Sequence, residues 1–576
     1  MRFGWELAAC AALIPMLGCG APSAPFEEVT EPAGLGGAVP SYDVALADWD
    51  GDGRIDLYAP NHASGAVLYS NVGGLHFEDA TAGAGMDPTG DQHGVGWGDG
   101  DGDGRPDLYV AIGANHGLDI KANRFYHNTG GRFVETAESS GTADPRGRAR
   151  GVTWIDYDRD GRLDVFVANF ATPNVLFHNR GDGTFEERAR DAGLANPAAV
   201  HVVWTDYDAD GWPDVLFCRP NAGARLFHNR GDGTFVDVTQ AAGIPRWPPV
   251  LGAAFGDVDG DGDLDLVTTG GEDYPIGLSE RDGVLAFTRL LSSKAVALFF
   301  EGTTHPLLRL VERDRPVSSD DPGLQLEENG PGHWALRWHG VNALNGRIGP
   351  KVGQAHFEGV RAWQSRRSTR LFVNRGDGTF VASATLAERG NGQAVVLGDV
   401  DDDGDLDVYV VHSGVEGADE PDALYLNDGR GRFVTAAPFA PSEDRNAGAH
   451  LVDLDGDGRL DLVLSGGWGT ALSRARHRVF RNVSSTGHWL EVVLVGRRSN
   501  RVGLGAWVTV ETATQRQVRY DTGGGHYSQD LVPVHFGLGA ASAATLTIRW
   551  PSGIVETRTV PVDRTVEVVE SDSSSP

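Results

Sequence analysis

DYDRDGRLDVFVANFATPNVLFHNRGDGTF, residues 156–185, carries two signals whose combination decides the fold. The first nine residues follow D-x-D-x-D-G-x-x-D, and the last ten end in a glycine-rich turn after Asn179. The nine-residue pattern occurs seven times, beginning at Asp48, Asp99, Asp156, Asp206, Asp257, Asp399 and Asp453. The starts lie about fifty residues apart, with one gap of 142 between Asp257 and Asp399. A fixed period of that length is the mark of a repeat architecture.

Four carboxylates in nine residues repel one another unless a cation lies between them. Alternating aspartates wrap three side chains around one point: Asp48, Asp50 and Asp52 in the first repeat, then Asp99, Asp101 and Asp103, and Asp156, Asp158 and Asp160. Next come Asp206, Asp208 and Asp210, then Asp257, Asp259 and Asp261, then Asp399, Asp401 and Asp403, and last Asp453, Asp455 and Asp457. The ninth-position residues Asp56, Asp107, Asp164, Asp214, Asp265, Asp407 and Asp461 close each cage. Position 7 offers a backbone carbonyl whatever its side chain, and it is filled by Arg54, Arg105, Arg162, Trp212, Asp263, Asp405 and Arg459. Ca²⁺ accepts six to eight oxygens in flexible geometry, whereas Mg²⁺ keeps its waters, so seven structural calcium ions are expected. An EF-hand needs Glu at position 12 between helices; here that position holds Ala59, Val110, Val167, Phe217, Thr268, Val410 and Leu464. The nonapeptide β-helix is excluded by the fifty-residue period.

After each loop comes an apolar strand such as DVFV, then aromatic-x-Asn, a Gly-rich turn, a strand opened by Phe, and A-G-[LIM]. Four strands in about fifty residues make a β-propeller blade, so the expected fold is an all-β, seven-bladed β-propeller. The last repeat stops at VFRN (Val479–Asn482), and FEEVTEPAGL (Phe26–Leu35) supplies the missing strand. Pairing the two closes the ring and leaves no open edge. Arg-Gly-Asp in the turns at 180–182, 230–232 and 375–377 suggests an adhesive ligand, but other repeats carry VGG, TGG or DGR there. Asn and Gly are what persist, and they make a hairpin tip.

The chain has 576 residues, a formal charge of −31 and 79 glycines. Its acidity excludes nucleic acid as an expected partner. With 40% hydrophobic residues and 14 Trp the chain folds, so the acid has local use. The four recurring aspartates of each loop account for 28 of the 80 acidic residues.

Residues 1–18 read as a signal peptide: Arg2, then an apolar run Leu7–Leu17 too short for a bilayer helix. MLGC resembles the lipobox of bacterial lipoproteins, which implies acylation of Cys19 and attachment to an outer membrane, or secretion from a bacterium. Cys10 and Cys218 leave no disulfide framework.

The loops on this period resemble the FG-GAP/VCBS repeats of integrin α heads, over propeller segments 26–271 and 370–484. GHWLEVVLVGRRSNRVGLGAWVTV (Gly487–Val510) and LTIRWPSGIVETRTV (Leu546–Val560) resemble the ASPIC/UnbV domain, taken as 487–565, with 566–576 a disordered tail. Together they resemble the cartilage acidic protein family, which implies Ca²⁺ binding, extracellular interaction and no catalytic residues. From the residues alone, the C-terminal segment reads as a small β-sandwich. Residues 272–369 interrupt the fifth repeat and read as an inserted β-rich domain. The expected function is a monomeric, non-catalytic module binding an extracellular protein or glycan, in contact with a membrane only through a lipid anchor. Its ligand face would include Tyr42, His93, Arg150 and His201, opposite the loops, with Trp334 and Trp338 of the insertion. The alternatives are a polysaccharide lyase or hydrolase working in the insertion, and a structural assembly or export factor.

Overall fold

The computed structural model describes residues 22–572, apart from 38–39, 62–64, 114–120, 170–171, 197–198, 220–222, 246–249, 271–276, 282–283, 290–291, 302–306, 311–312, 317–323, 341–343, 350–354, 359–368, 388–391, 413–420, 439–445, 468–475 and 485–486. The candidate leader and Cys19 lie outside the described residues.

Each repeat forms one four-stranded antiparallel sheet, with strands adjacent in chain order. In the second sheet these are Gln92–Gly98, Asp107–Ile112, Arg124–Asn128 and Phe133–Glu135. The first two are buried throughout, the third alternates, and the fourth is largely exposed. Strands covered on both faces read as continuous apolar runs, and outer strands need only one apolar side. Among the described residues, seven sheets of this kind follow one another, and the first strands of consecutive sheets pack together. Trp97, Trp154 and Trp204 are buried on the first strands of sheets two to four. Trp154 lies over Gly98 of the preceding sheet, where a Cβ would stand 2.6 Å from the indole.

The seventh sheet takes Asn446–Val452, Asp461–Gly466 and Arg478–Asn482 from the end of the repeats and Phe26–Glu28 from the start. Phe26 pairs with Asn482 and Glu28 with Phe480. One apolar cluster joins Leu46 and Leu57 of the first sheet to Val452, Leu454 and Val479 of the seventh. The ring closes as its unpaired edge requires.

The fifth sheet runs Gly252–Gly256, Asp265–Thr269, Thr369–Asn374 and Phe380–Ala387, so the insertion leaves between its second and third strands. The insertion folds as a five-stranded and a four-stranded antiparallel sheet. Trp334 and Trp338 lie four residues apart on the strand His333–Gly340. Trp334 is half-buried, and the side chain of Trp338 lies outside the described residues.

The C-terminal domain sets a three-stranded sheet against a four-stranded one. Leu490, Val492, Phe536 and Val568 from the first meet Val508, Val510, Leu546 and Ile548 from the second. One expectation is corrected here: residues 566–569 are not a tail. Arg564–Val569 is a strand parallel to His488–Val495, with Val568 fully buried. Glu570 is buried too and accepts from the N–H groups of Arg497, Arg498 and Ser499 at 2.7–2.9 Å. The sequence VEVVE alternates apolar and charged residues, which is a strand's own pattern.

Candidate metal centres

All seven acidic loops join the first strand of a sheet to its second, and so stand on one rim of the ring. In the second loop Asp99 Oδ1 accepts from Gly102 N at 2.8 Å and Asp103 N at 3.1 Å, and Oδ2 from Gly104 N at 2.7 Å. Asp107 accepts Asn128 N at 2.7 Å and Gly100 N at 2.9 Å. These bonds turn the carboxylates of positions 1 and 9 inward against the chain. Gly104 at position 6 has φ 88°, as expected, and position 4 also takes positive φ, with Gly102 at 77°. Arg159, Ala209 and Asp402 adopt that strained backbone at position 4 without glycine's freedom, at φ 59°, 55° and 53°. Glycine at position 4 in the other four repeats was the signal for it.

Position 7 is not indifferent to its side chain, contrary to the sequence reading. Arg54, Arg105, Arg162 and Arg459 each donate Nε to the carbonyl of the hairpin asparagine at 2.6–3.1 Å. Each also pairs with the position-5 aspartate of its own loop. A long cation on a tight turn reaches back to the nearest anion.

Within several loops, carboxylate oxygens from three residues lie within 4.8 Å of one another, as for Asp48, Asp50 and Asp52, and for Asp99, Asp101 and Asp107. Oδ1 of Asp158, Asp208, Asp259, Asp401 and Asp455, all at position 3, is buried without a hydrogen-bond partner. Burial raises Asp56, Asp214, Asp265 and Asp461 to about 8, with neighbouring loop carboxylates adding to it. Orphaned oxygens and costly anions at one point fit a divalent cation with oxygen ligands.

The hairpin asparagine does more than open a turn. Asn179 Oδ1 accepts from Gly181 N at 2.9 Å, which makes the Arg-Gly-Asp segment a hairpin tip as read. Its Nδ2 reaches the preceding sheet and donates to Gly100 O at 2.7 Å. Asn71, Asn128, Asn229, Asn374, Asn427 and Asn482 repeat this at 2.8–2.9 Å onto Leu454, Trp49, Tyr157, Tyr207, Val258 and Val400. Every acceptor is the carbonyl at position 2 of the neighbouring loop, so the loops are tied into a circle.

The C-terminal domain covers this rim. Trp507 Nε1 and Arg549 donate to Asp206 Oδ2 at 2.7 and 3.0 Å, Arg159 donates to Pro551 O at 2.7 Å, and Gln515 to Asp403 O at 2.6 Å. From it the segment GGGHYSQDL (Gly523–Leu531) enters the middle of the ring. Gln529 bonds Trp97 N, Trp154 N and Trp154 O, and Leu531 N donates to Leu46 O at 2.8 Å. Asp43 Oδ2 accepts from the N–H groups of His526, Tyr527 and Ser528 at 2.8–3.1 Å. His450 bridges Asp43 Oδ1 at 2.8 Å and Asp530 Oδ2 at 2.6 Å. Burial alone would lower the His450 imidazole, but the carboxylates of Asp530 and Asp43 outweigh it and hold it up to about 10.

The segment's tip revises the expected ligand face. His93 and His201 are 1% and 4% exposed, not open to a ligand. His201 packs on His526 with ring centroids 4.9 Å apart. Tyr42 stacks on His93 at 4.3 Å and meets Tyr527 edge-on at 5.8 Å, and Arg150 lies over Tyr42 at 5.8 Å. These side chains seat the C-terminal segment, because the axis of the ring is where it lies. In the insertion, Glu327 and Glu328 are consecutive, exposed residues of the strand Leu324–Gly330.

The FG-GAP-like repeat family matches residues 48–110, 99–167, 156–217, 206–268, 360–410 and 412–464, more than half of the chain. The family described as ASPIC and UnbV matches 496–575. Cartilage acidic protein 1 of Homo sapiens is 29% identical over 260 residues, covering 33% of this chain and 38% of that protein. That of Mus musculus is 29% identical over 164 residues, 26% of this chain and 24% of the relative. The chain therefore spans well under half the length of these relatives. Among solved structures, BBS1N in complex with ARL6DN is similar over 80% of this chain and 99% of its own, at 8% identity and a TM-score of 0.42.

Proposed function

Because this chain belongs to the FG-GAP-like repeat family and ends in an ASPIC and UnbV domain, we propose that it is a calcium-holding, exported propeller that binds a protein or glycan outside the cell and catalyses nothing. The observation behind the calcium is the set of buried position-3 oxygens with no partner, repeated in five of the seven loops. The aspartates of positions 1, 3, 5 and 9 would hold the ion, with the position-7 carbonyl completing the shell. Calcium there supplies positive charge to a rim of aspartates and stiffens the loops that seat the C-terminal domain. Export rests on the N-terminal segment with its lipobox-like MLGC, and on the resemblance to cartilage acidic proteins. The ligand surface is assigned to the insertion and the rim opposite the loops, since the loop rim is covered and the axis is filled.

The test is a glycan and protein array probed with the full chain in millimolar calcium and again with chelator. Calcium-dependent binding to a defined ligand, lost when residues 272–369 are replaced by a short turn, is expected. Turnover of an arrayed polysaccharide would contradict the non-catalytic reading.

A further inference from the structure

The residue before the hairpin asparagine differs from loop to loop: Ser70, His127, His178, His228, Val373, Leu426 and Arg481 in chain order. It sits on the third strand of each sheet, beside that sheet's acidic loop, so its side chain decides what the loop offers a cation. In the second loop His127 Nδ1 lies 3.1 Å from Asp107 Oδ1 and Nε2 lies 3.6 Å from Asp101 Oδ2. In the third His178 Nδ1 is 3.2 Å from Asp164 Oδ1 and 3.4 Å from Asp158 Oδ2. In the fourth His228 Nδ1 is 3.2 Å from Asp214 Oδ1 and 3.3 Å from Asp208 Oδ2.

We propose that these three loops take a first-row divalent transition ion, such as Mn²⁺ or Zn²⁺, with the imidazole as a nitrogen ligand, while the loops beside Val373 and Leu426 offer oxygen alone. The proposal rests on the loops being divalent-cation sites and assigns which ion three of them prefer. Asp101, Asp103 and His127, then Asp158, Asp160 and His178, then Asp208, Asp210 and His228 each bring one ligand atom within 4.8 Å of the others. Ligands of an ion at ~2.1 Å stand roughly 3 Å apart as neighbours and 4 Å apart across it, so these sets fit one shell. Imidazole suits the transition metals, while carboxylate and carbonyl oxygen suit calcium.

The fourth loop carries the independent observation. Asp206 Oδ1 and Asp214 Oδ2 lack hydrogen-bond partners, although these side chains are only 1% and 0% exposed. Asp208 Oδ1 and His228 Nδ1 are orphaned beside them. The imidazole nitrogens of His178 and His228 come within ion-pair distance of carboxylates yet miss hydrogen-bond geometry. An imidazole placed there to satisfy the aspartates would point its N–H at one of them. Of the three only His127 does, with Nδ1 hydrogen-bonded to Asp107 Oδ1 at 3.1 Å and Nε2 left toward the loop. The seventh loop is the opposite case: Arg481 reaches Asp455 at 2.9 Å and Asp457 at 3.3 Å, so a fixed cation already stands beside it.

The test strips the full chain with chelator and equilibrates it with Mn²⁺ in excess calcium. Elemental analysis then counts both ions, and pulsed electron paramagnetic resonance reads ¹⁴N coupling to bound Mn²⁺. Expected are about three Mn²⁺ per chain with nitrogen coupling, and none in a His127→Leu, His178→Leu, His228→Leu variant that keeps its calcium. Should the triple variant not fold, the ¹⁴N coupling in the unaltered chain decides the matter alone. Calcium bound with no Mn²⁺, or Mn²⁺ bound without nitrogen coupling, overturns this assignment and leaves the calcium reading standing. No ion of either kind overturns both.

Discussion

The axis of the ring and its loop rim both bury carboxylates, and they hold them by opposite means. On the axis, Asp43 and Asp530 meet the His450 imidazolium and a row of backbone N–H groups, all supplied by the chain itself. On the rim, aspartates face aspartates, oxygens are left without partners, and burial drives several pKa values up to about 8. A buried charge must find its opposite. On the axis the chain supplies both signs and the site is closed. On the rim the position-7 arginines meet the position-5 aspartates, and in the function proposed above the remaining charge is met by cations from solution. The seventh loop lies between the two, since Arg459 and Arg481 both reach Asp457.

The sharpest way to break this contrast is Asp43→Ala, which takes one of the two carboxylates from the His450 cation and leaves three N–H donors without their acceptor in the axis. A loss of about 3–5 kcal/mol is expected, of equal size in calcium and in chelator, read by denaturant unfolding. A loss confined to calcium would show that the axis also depends on an ion. Next in size is Asp214→Asn, which removes a fourth-loop ligand. It should cost about 2–3 kcal/mol with divalent ions present and little in chelator, whereas Asp461→Asn in the seventh loop should cost less because two arginines remain. Equal effects of the two variants would erase the distinction among loops. Asn229→Ala deletes the bond to Tyr157 O between neighbouring sheets and should cost about 1–2 kcal/mol whatever the ion.

The last effect is on pH. His450 in the folded chain keeps its proton up to about 10, against 6.5 ordinarily. Between those values the folded state binds a proton that the unfolded state does not, so its contribution is complete below pH 6.5 and is lost as pH rises through about 10. Melting in calcium should fall by several degrees over that window, and the His450→Gln chain should lack this slope. An identical slope in both would remove His450 from the account.

Most of the ring was legible because its determinants are local and repeated. Asp and Gly at fixed spacing form the loops, Asn and Gly form the hairpins, and the unfinished last repeat points to Phe26–Glu28. The filled axis was not legible. GGGHYSQDL has no period, and Asp43 stands in no motif; both acquire meaning only through contacts nearly 500 residues apart. For the same reason Tyr42, His93, Arg150 and His201 looked like an open face at strand ends, although the segment they seat comes from the far end of the chain. The inter-sheet bond of Asn179 was hidden by its first role, since one side chain serves the turn with its oxygen and the neighbouring loop with its nitrogen.

Thermal unfolding of the full chain in millimolar calcium and in EDTA puts the rim to the test most directly. If cations from solution hold the aspartates of the loops, EDTA should lower the melting temperature by roughly 10 °C or more, and returning calcium should restore it. Identical melting in both, from a preparation whose elemental analysis finds no divalent metal, would contradict the account.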